Sequence, residues 1–208
     1  IRHLFDLNAR PDLITAHLSQ DPLLAADVLK NPGLRVPGAF DGFEISLRAI
    51  LGQQITVKAA TTLASRLVKT FGETIETPFP QLHYLFPTAQ SIISVPTEKI
   101  AALGIIRSRA QSILALADEI SSQRLQLNGH ADPEKTINQL ISIPGIGKWT
   151  AHYIAMRALR WPDAFPKEDT VLRKRLGGVS AKQADMLSQA WRPWRSYATL
   201  YLWSKTST

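Results

Sequence analysis

The chain contains no cysteine, which excludes disulfides and any zinc or iron–sulfur centre held by thiolates. Its five histidines are scattered, without the close spacing of metal ligands. No run approaches the roughly 18 consecutive apolar residues that would suggest a membrane-spanning helix. Nothing near Ile1 reads as a secretory signal. No stretch alternates polar and apolar residues over a useful strand length. Internal repeats, low-complexity tracts and Walker-type phosphate loops are also missing.

What remains is a helical pattern in a basic globular chain. The 208 residues are 45% hydrophobic, enough for one large domain or two small subdomains sharing a core. Lys and Arg number 24 against 17 Asp and Glu, a net charge of +7. Such a balance favours an anionic partner. The start at Ile1 rather than Met suggests a trimmed chain with further sequence upstream.

Helix signals recur along the chain. Pro11 to Ser19 and Pro22 to Lys30 read as two short helices, the second capped by Asp21. Leu34 to Asp41 reads as a linker, dividing an N-terminal helical segment over residues 1–40 from a main body over 41–208. Phe43, Leu47, Ile50 and Leu51 form a helical stripe. Thr56 caps the next helix and Gly72 closes it. Thr88 to Ser94 and Thr97 to Leu103 look like short helices, and a long one follows from about Arg107 to Gln123. Arg107 and Arg109 read as a solvated face. Ser180 caps Ala181 to Gln189, and Pro193 opens the last helix.

The most specific stretch lies in a hairpin at about 136–160. Leu140, Ile141 and Ile143 end one helix, Pro144 and Gly145 break it, and Gly147 opens the next. The first N–H groups of that second helix lack intrahelical partners and carry the positive end of its dipole, which suits a phosphate. By position, Asp169 is an N-cap, a role that fixes the direction of its carboxylate. Glu168 reads as solvated. Trp149 and Tyr153, four apart, share a helix face. By residue type alone these aromatics fit a core as well as a stacking pocket.

The string Pro-Gly-Ile-Gly-Lys-Trp-Thr-Ala at 144–151, followed by Asp169, resembles the helix-hairpin-helix DNA glycosylase superfamily. The bacterial 3-methyladenine DNA glycosylase II branch is the most similar. Arg48-Ala-Ile-Leu-Gly-Gln-Gln54 and the block Trp191 to Ala198 extend the resemblance, which runs from about Leu4 to Trp203. It implies an all-α fold, with two helical subdomains, the hairpin, and a DNA- and base-binding cleft between them. Relatives often carry a small β-rich domain before the helical part, and no stretch here reads as that domain.

The resemblance places the catalytic aspartate at Asp169 and a base pocket at Trp149, Tyr153 and Trp203. DNA contacts fall on Gln53, Gln54, Gly145, Gly147, Lys148 and Thr150, with Gln54 filling the gap left by an extruded nucleotide. The main-chain carbonyls of Ile141, Ile143 and Ile146 match those that hold a structural monovalent cation, Na or K, in the family. No catalytic cofactor is implied. Arg157, Lys174, Arg192 and Arg195 are candidates for further phosphate contacts. Members that also nick the backbone carry a lysine where this chain has Trp149, so a monofunctional enzyme is expected.

The implied activity is hydrolysis of the N-glycosidic bond of a flipped, N-alkylated purine of the 3-methyladenine type. The partner is double-stranded DNA containing alkylated bases. A monomer without a membrane association is expected, cytoplasmic and nucleoid-associated if the source is bacterial. A glycosylase for another damaged base and a non-catalytic DNA-binding module stay open as alternatives.

Overall fold

A computed structural model describes residues 1–204, which hold twelve α-helices and no strand. The only sheet-type pairing among them is a single bridge between Thr74 and Tyr84. The helices are α1 (Pro11–Leu18), α2 (Ala25–Lys30), α3 (Gly42–Leu51), α4 (Val57–Phe71), α5 (Ala89–Ile93) and α6 (Thr97–Ala101). They continue with α7 (Arg107–Ser121), α8 (Pro133–Ser142), α9 (Lys148–Arg157), α10 (Thr170–Arg175), α11 (Ala181–Leu187) and α12 (Arg195–Ser204). A 3₁₀ turn at Ser188–Trp191 follows α11 directly.

Polar caps start six of these helices. Asp41, Thr56, Thr88, Asp132, Asp169 and Ser180 each accept a backbone N–H from three residues ahead. Each bond satisfies a donor that the helix cannot. Ser180 and Gln183 complete a reciprocal capping box.

Three boundaries differ from the sequence reading. Pro22 to Leu24 form a turn, and α2 begins only at Ala25. Asp21 does not cap α2: one carboxylate oxygen takes the Leu23 N–H (2.8 Å) and the other the Trp191 indole N–H (2.6 Å). The helix after Ser180 ends at Leu187, because the chain tightens into the 3₁₀ turn. Pro193 does not open α12: its peptide bond to Arg192 is cis, and the Trp194 N–H turns back to the Trp191 carbonyl (2.7 Å).

One lobe is built from α3 to α8. Its central helix, α3, buries Phe43, Leu47, Ile50 and Leu51 and packs against α4, α7 and α9. Each fully buried aliphatic side chain contributes about 1.5–3 kcal/mol. The other lobe joins the two ends of the chain. Tyr197 on α12 donates to Asp6 (2.7 Å), Tyr201 donates to the Asn31 carbonyl (2.9 Å), and Trp191 reaches Asp21. Residues 1–40 therefore pack on the C-terminal helices. Burial raises the Tyr197 hydroxyl well above its ordinary range, and the bond to Asp6 adds to this.

Helix α9 connects the lobes. Thr150, Ala151, Ile154, Ala155 and Met156 are buried, and after Lys148 no residue of α9 is fully exposed. The segment from Trp161 to Asp169 then crosses to α10 and is bolted to the start of α12. Arg195 grips Asp163 with two bonds (2.7 and 2.9 Å), both side chains being buried. Arg192 adds a third bond (2.7 Å). The Ser196 hydroxyl meets the carbonyls of Trp161 (2.7 Å) and Ala164 (3.1 Å).

Removing one partner of a buried pair strands the other charge. Asp163→Ala is expected to lose about 3–5 kcal/mol of stability, read by urea unfolding.

Candidate active site

The hairpin turn is shaped from within. Ile143 leaves α8 in an extended conformation, and its carbonyl accepts the Ile146 N–H (3.0 Å). Gly145 has φ +84°, and a Cβ there would lie 2.1 Å from the Ser112 hydroxyl. Ser112 on α7 bonds the Pro144 carbonyl (2.7 Å). Gly145 is thus required by both backbone angle and space. Gly147 differs: its φ is −84°, and a Cβ would meet nothing within 4 Å. No internal contact demands a glycine at 147, and the space before it is open.

The junction between α3 and α4 faces this turn. Gln53 points inward, its amide donating to the Gly145 carbonyl and the Thr150 hydroxyl, both at 3.0 Å. Arg109 holds the Gln53 carbonyl (2.6 Å), so it is a strut rather than a solvated charge. Gln54 is exposed and left-handed (φ +55°), a conformation uncommon for a residue with a side chain. Fixing Gln53 on the hairpin turns the next residue outward.

Asp169 caps α10 as its sequence position suggests, one oxygen accepting the Leu172 N–H (2.7 Å). The other oxygen accepts the Trp149 indole N–H (2.7 Å). The side chain is held in direction from two sides, yet a carboxylate has lone pairs left for a third partner. Its residue is 9% exposed.

These pieces meet in a cleft of about 650 Å³, lined by Gln53, Gln54, Gly145, Gly147, Trp149, Thr150, Glu168 and Asp169 among others. A second cleft of about 310 Å³ lies alongside, mainly apolar, with Ile45, Ala49, Ile55, Val57, Trp149 and Tyr153 in its walls. Trp149 and Gly52 border both. Trp149 and Tyr153 stack with centroids 5.4 Å apart and planes 10° from parallel. Trp203 stands behind Tyr153 at 6.4 Å and lines neither cleft.

The other expected residues differ in how accessible they are. Thr150 is buried and its hydroxyl faces Gln53, while Lys148 is exposed and outside the cleft lining. Among the candidate phosphate contacts, Arg195 is buried on Asp163, Arg192 pairs with the same carboxylate, and Arg157 lies over the Tyr153 ring (5.6 Å). Lys174 is exposed, and Arg192 is exposed as well despite its pairing. Glu168 departs from its solvated reading: it lines the cleft, and one carboxylate oxygen is buried without a partner. No group of three His, Asp or Glu among the described residues could hold a metal.

His152 lies on α9. Burial lowers its pKa from about 6.5 to about 4, and the nearby Arg195 and Lys167 charges push the same way. Below the unfolded pKa the unfolded chain binds a proton that the folded chain refuses. Stability attributable to His152 is therefore present above pH 6.5 and falls as the pH drops toward 4. Its full size is about 3 kcal/mol. Urea midpoints between pH 7 and 4 should show this loss in the wild type, and His152→Gln should flatten it. The two hairpin glycines give a second check: Gly145→Ala should cost about 1–3 kcal/mol, and Gly147→Ala less than about 1.

Residues 47–196 match the sequence pattern of the HhH-GPD superfamily base excision DNA repair proteins. Residues 1–41 match the AlkA N-terminal domain, a kinship that their helical reading did not reveal. The chain is 40% identical over 207 residues to a Mycobacterium tuberculosis protein named "Probable bifunctional transcriptional activator/DNA repair enzyme AlkA", covering 98% of this chain and 41% of that one. It is 36% identical to "DNA-3-methyladenine glycosylase 2" of Escherichia coli, covering 96% of this chain and 68% of that one. The chain thus spans about two-fifths of the mycobacterial relative. In fold it is similar to an 8-oxoguanine glycosylase/lyase of Clostridium acetobutylicum solved with double-stranded DNA (TM-score 0.84, 23% identity, 97% of this chain and 71% of that one). It is also similar in fold to a 3-methyladenine DNA-glycosylase from Archaeoglobus fulgidus (TM-score 0.80, 24% identity, 97% and 71%).

Proposed function

Because the chain belongs to the HhH-GPD superfamily of base excision DNA repair proteins, we propose that it is a monofunctional DNA glycosylase for N-alkylated purines. The observation that carries this reading is the carboxylate of Asp169, held by Trp149 and the Leu172 N–H in the larger of two clefts that share Trp149 as a wall.

The hairpin receives the DNA backbone. The open space before Gly147 and the free N–H groups at the start of α9 suit a phosphate. Uncharged carbonyl oxygens at Ile141, Ile143 and Ile146 suit a monovalent cation there, and the Ile143 oxygen keeps a lone pair after bonding Ile146. Such a cation, when bound, would supply positive charge toward phosphate. Gln54, outward and opposite the hairpin, fills the space that the extruded nucleotide leaves.

The extruded base enters against the Trp149–Tyr153 stack. An N-alkylated purine is positively charged and is attracted to these ring faces. Asp169 is the catalytic residue: its carboxylate stabilises positive charge at C1′ as the C1′–N bond breaks. The purine leaves with the bonding electrons and becomes neutral. Water adds to C1′ and loses a proton, leaving an abasic site. Trp149 occupies the slot where a lysine would attack the sugar, and Lys148 is rotated from it by about 100°. No strand cleavage follows. The partner is double-stranded DNA, and the enzyme acts as a monomer.

Asp169→Asn tests the assignment. Release of methylated purine from alkylated duplex should fall by a factor of at least about 100, with DNA affinity within a few-fold of wild type. A wild type that binds DNA and releases no methylated base would leave a binding module instead. Borohydride trapping of the wild type on DNA would overturn the monofunctional reading.

A further inference from the structure

Gln54 keeps its left-handed backbone (φ +55°) at an exposed position, which a residue with a side chain holds only when its surroundings impose it. The end of α3 does not impose it. The bonds that close that helix come from the N–H groups of Gly52 (2.9 Å) and Gln53 (3.4 Å). The peptide plane between Gln53 and Gln54 does. A residue's φ depends on how the plane before it is turned, and that plane carries the Gln53 carbonyl. Arg109 donates to this oxygen (2.6 Å), while the Gln53 side chain is tied to Gly145 and Thr150. Beyond Gln54, Thr56 caps α4. Gln54 is thus strung between two anchored ends, and Arg109 holds the plane attached to it.

Arg109 is poorly placed for stability. It lies in the first turn of α7, where the helix dipole disfavours a cation, and that turn holds no acidic residue. The guanidinium is half-buried, and its one hydrogen bond among the described residues is to the neutral Gln53 carbonyl. Its Nε is buried without a partner. A charge so placed, with no carboxylate beside it, stabilises a fold poorly. What it does accomplish is to orient one peptide plane.

From that plane and the strained residue after it, we infer that Arg109 is a positioning residue for Gln54. By fixing the Gln53 carbonyl it keeps residue 54 in the conformation that turns it out of the α3–α4 junction. Arg109 acts on DNA only through residue 54. This consequence rests on the gap-filling reading of Gln54, whereas the hold on the backbone does not.

Two measurements on wild type, Arg109→Met and Arg109→Lys test this. The first is the amide NMR order parameter of residue 54 in the free protein. It should lie near about 0.85 in wild type, stay close to that in Arg109→Lys, and fall toward about 0.6 in Arg109→Met. The second is the affinity for a duplex with a tetrahydrofuran abasic site, divided by that for the undamaged duplex. Contacts to phosphate enter both affinities, whereas gap filling enters only the first. The ratio is taken within one protein, so partial loss of folded material cancels. Gln54→Ala should lower it. Arg109→Met should lower it about three- to tenfold, and should add little in a Gln54→Ala background. Arg109→Lys should keep most of it. An unchanged order parameter in Arg109→Met overturns the proposal. So does a fall in the ratio that is the same whether residue 54 is Gln or Ala. If Gln54→Ala itself leaves the ratio unchanged, the gap-filling reading fails, and the order parameter still decides whether Arg109 holds residue 54.

Discussion

A single hydrogen bond, from the Trp149 indole to Asp169 (2.7 Å), joins the helix that opens the hairpin to the helix that the carboxylate caps. A bond to a charged acceptor contributes about 1.5–3 kcal/mol. More important is what it aligns. Trp149 is fixed on one side by the Tyr153 stack and on the other by Asp169, so the aromatic wall and the carboxylate keep one spacing. Moving either would unmake both.

That bond can only form because the chain between its two ends is anchored. Twenty residues separate Trp149 from Asp169, and the second half of that stretch is not helical. Its anchorage comes from the far end of the chain: Asp163 is held by Arg192 and Arg195, and two carbonyls are held by Ser196. The C-terminal helix in turn is tied to the N-terminal segment through Asp6, Asp21 and Asn31. The site is thus supported by both ends of the chain.

The same economy governs the opposite wall. Gln53 ties the α3–α4 junction to Gly145 and Thr150, and Arg109 ties Gln53 to α7. Ser112 supports the turn at Pro144 from below. The hairpin and the carboxylate are thus each braced from more than one side.

Much of this was legible in the order of residues. Helix starts were marked by caps whose partners lie three positions on, and the hairpin by its proline and glycines, because those signals are local. The motif around Trp149 and the position of Asp169 named the family for the same reason. Folding alone decided which polar groups face the cleft. Gln53 and Gln54 are adjacent and chemically identical, yet one braces the hairpin and the other faces solvent. Arg195 resembles any surface arginine until Asp163, 32 residues away, closes on it in the core. Glu168 looks solvated until the cleft forms around it. Local patterns set where helices begin and end, since their bonds span a few residues. Burial and pairing are set by contacts between distant segments, and no local pattern carries them.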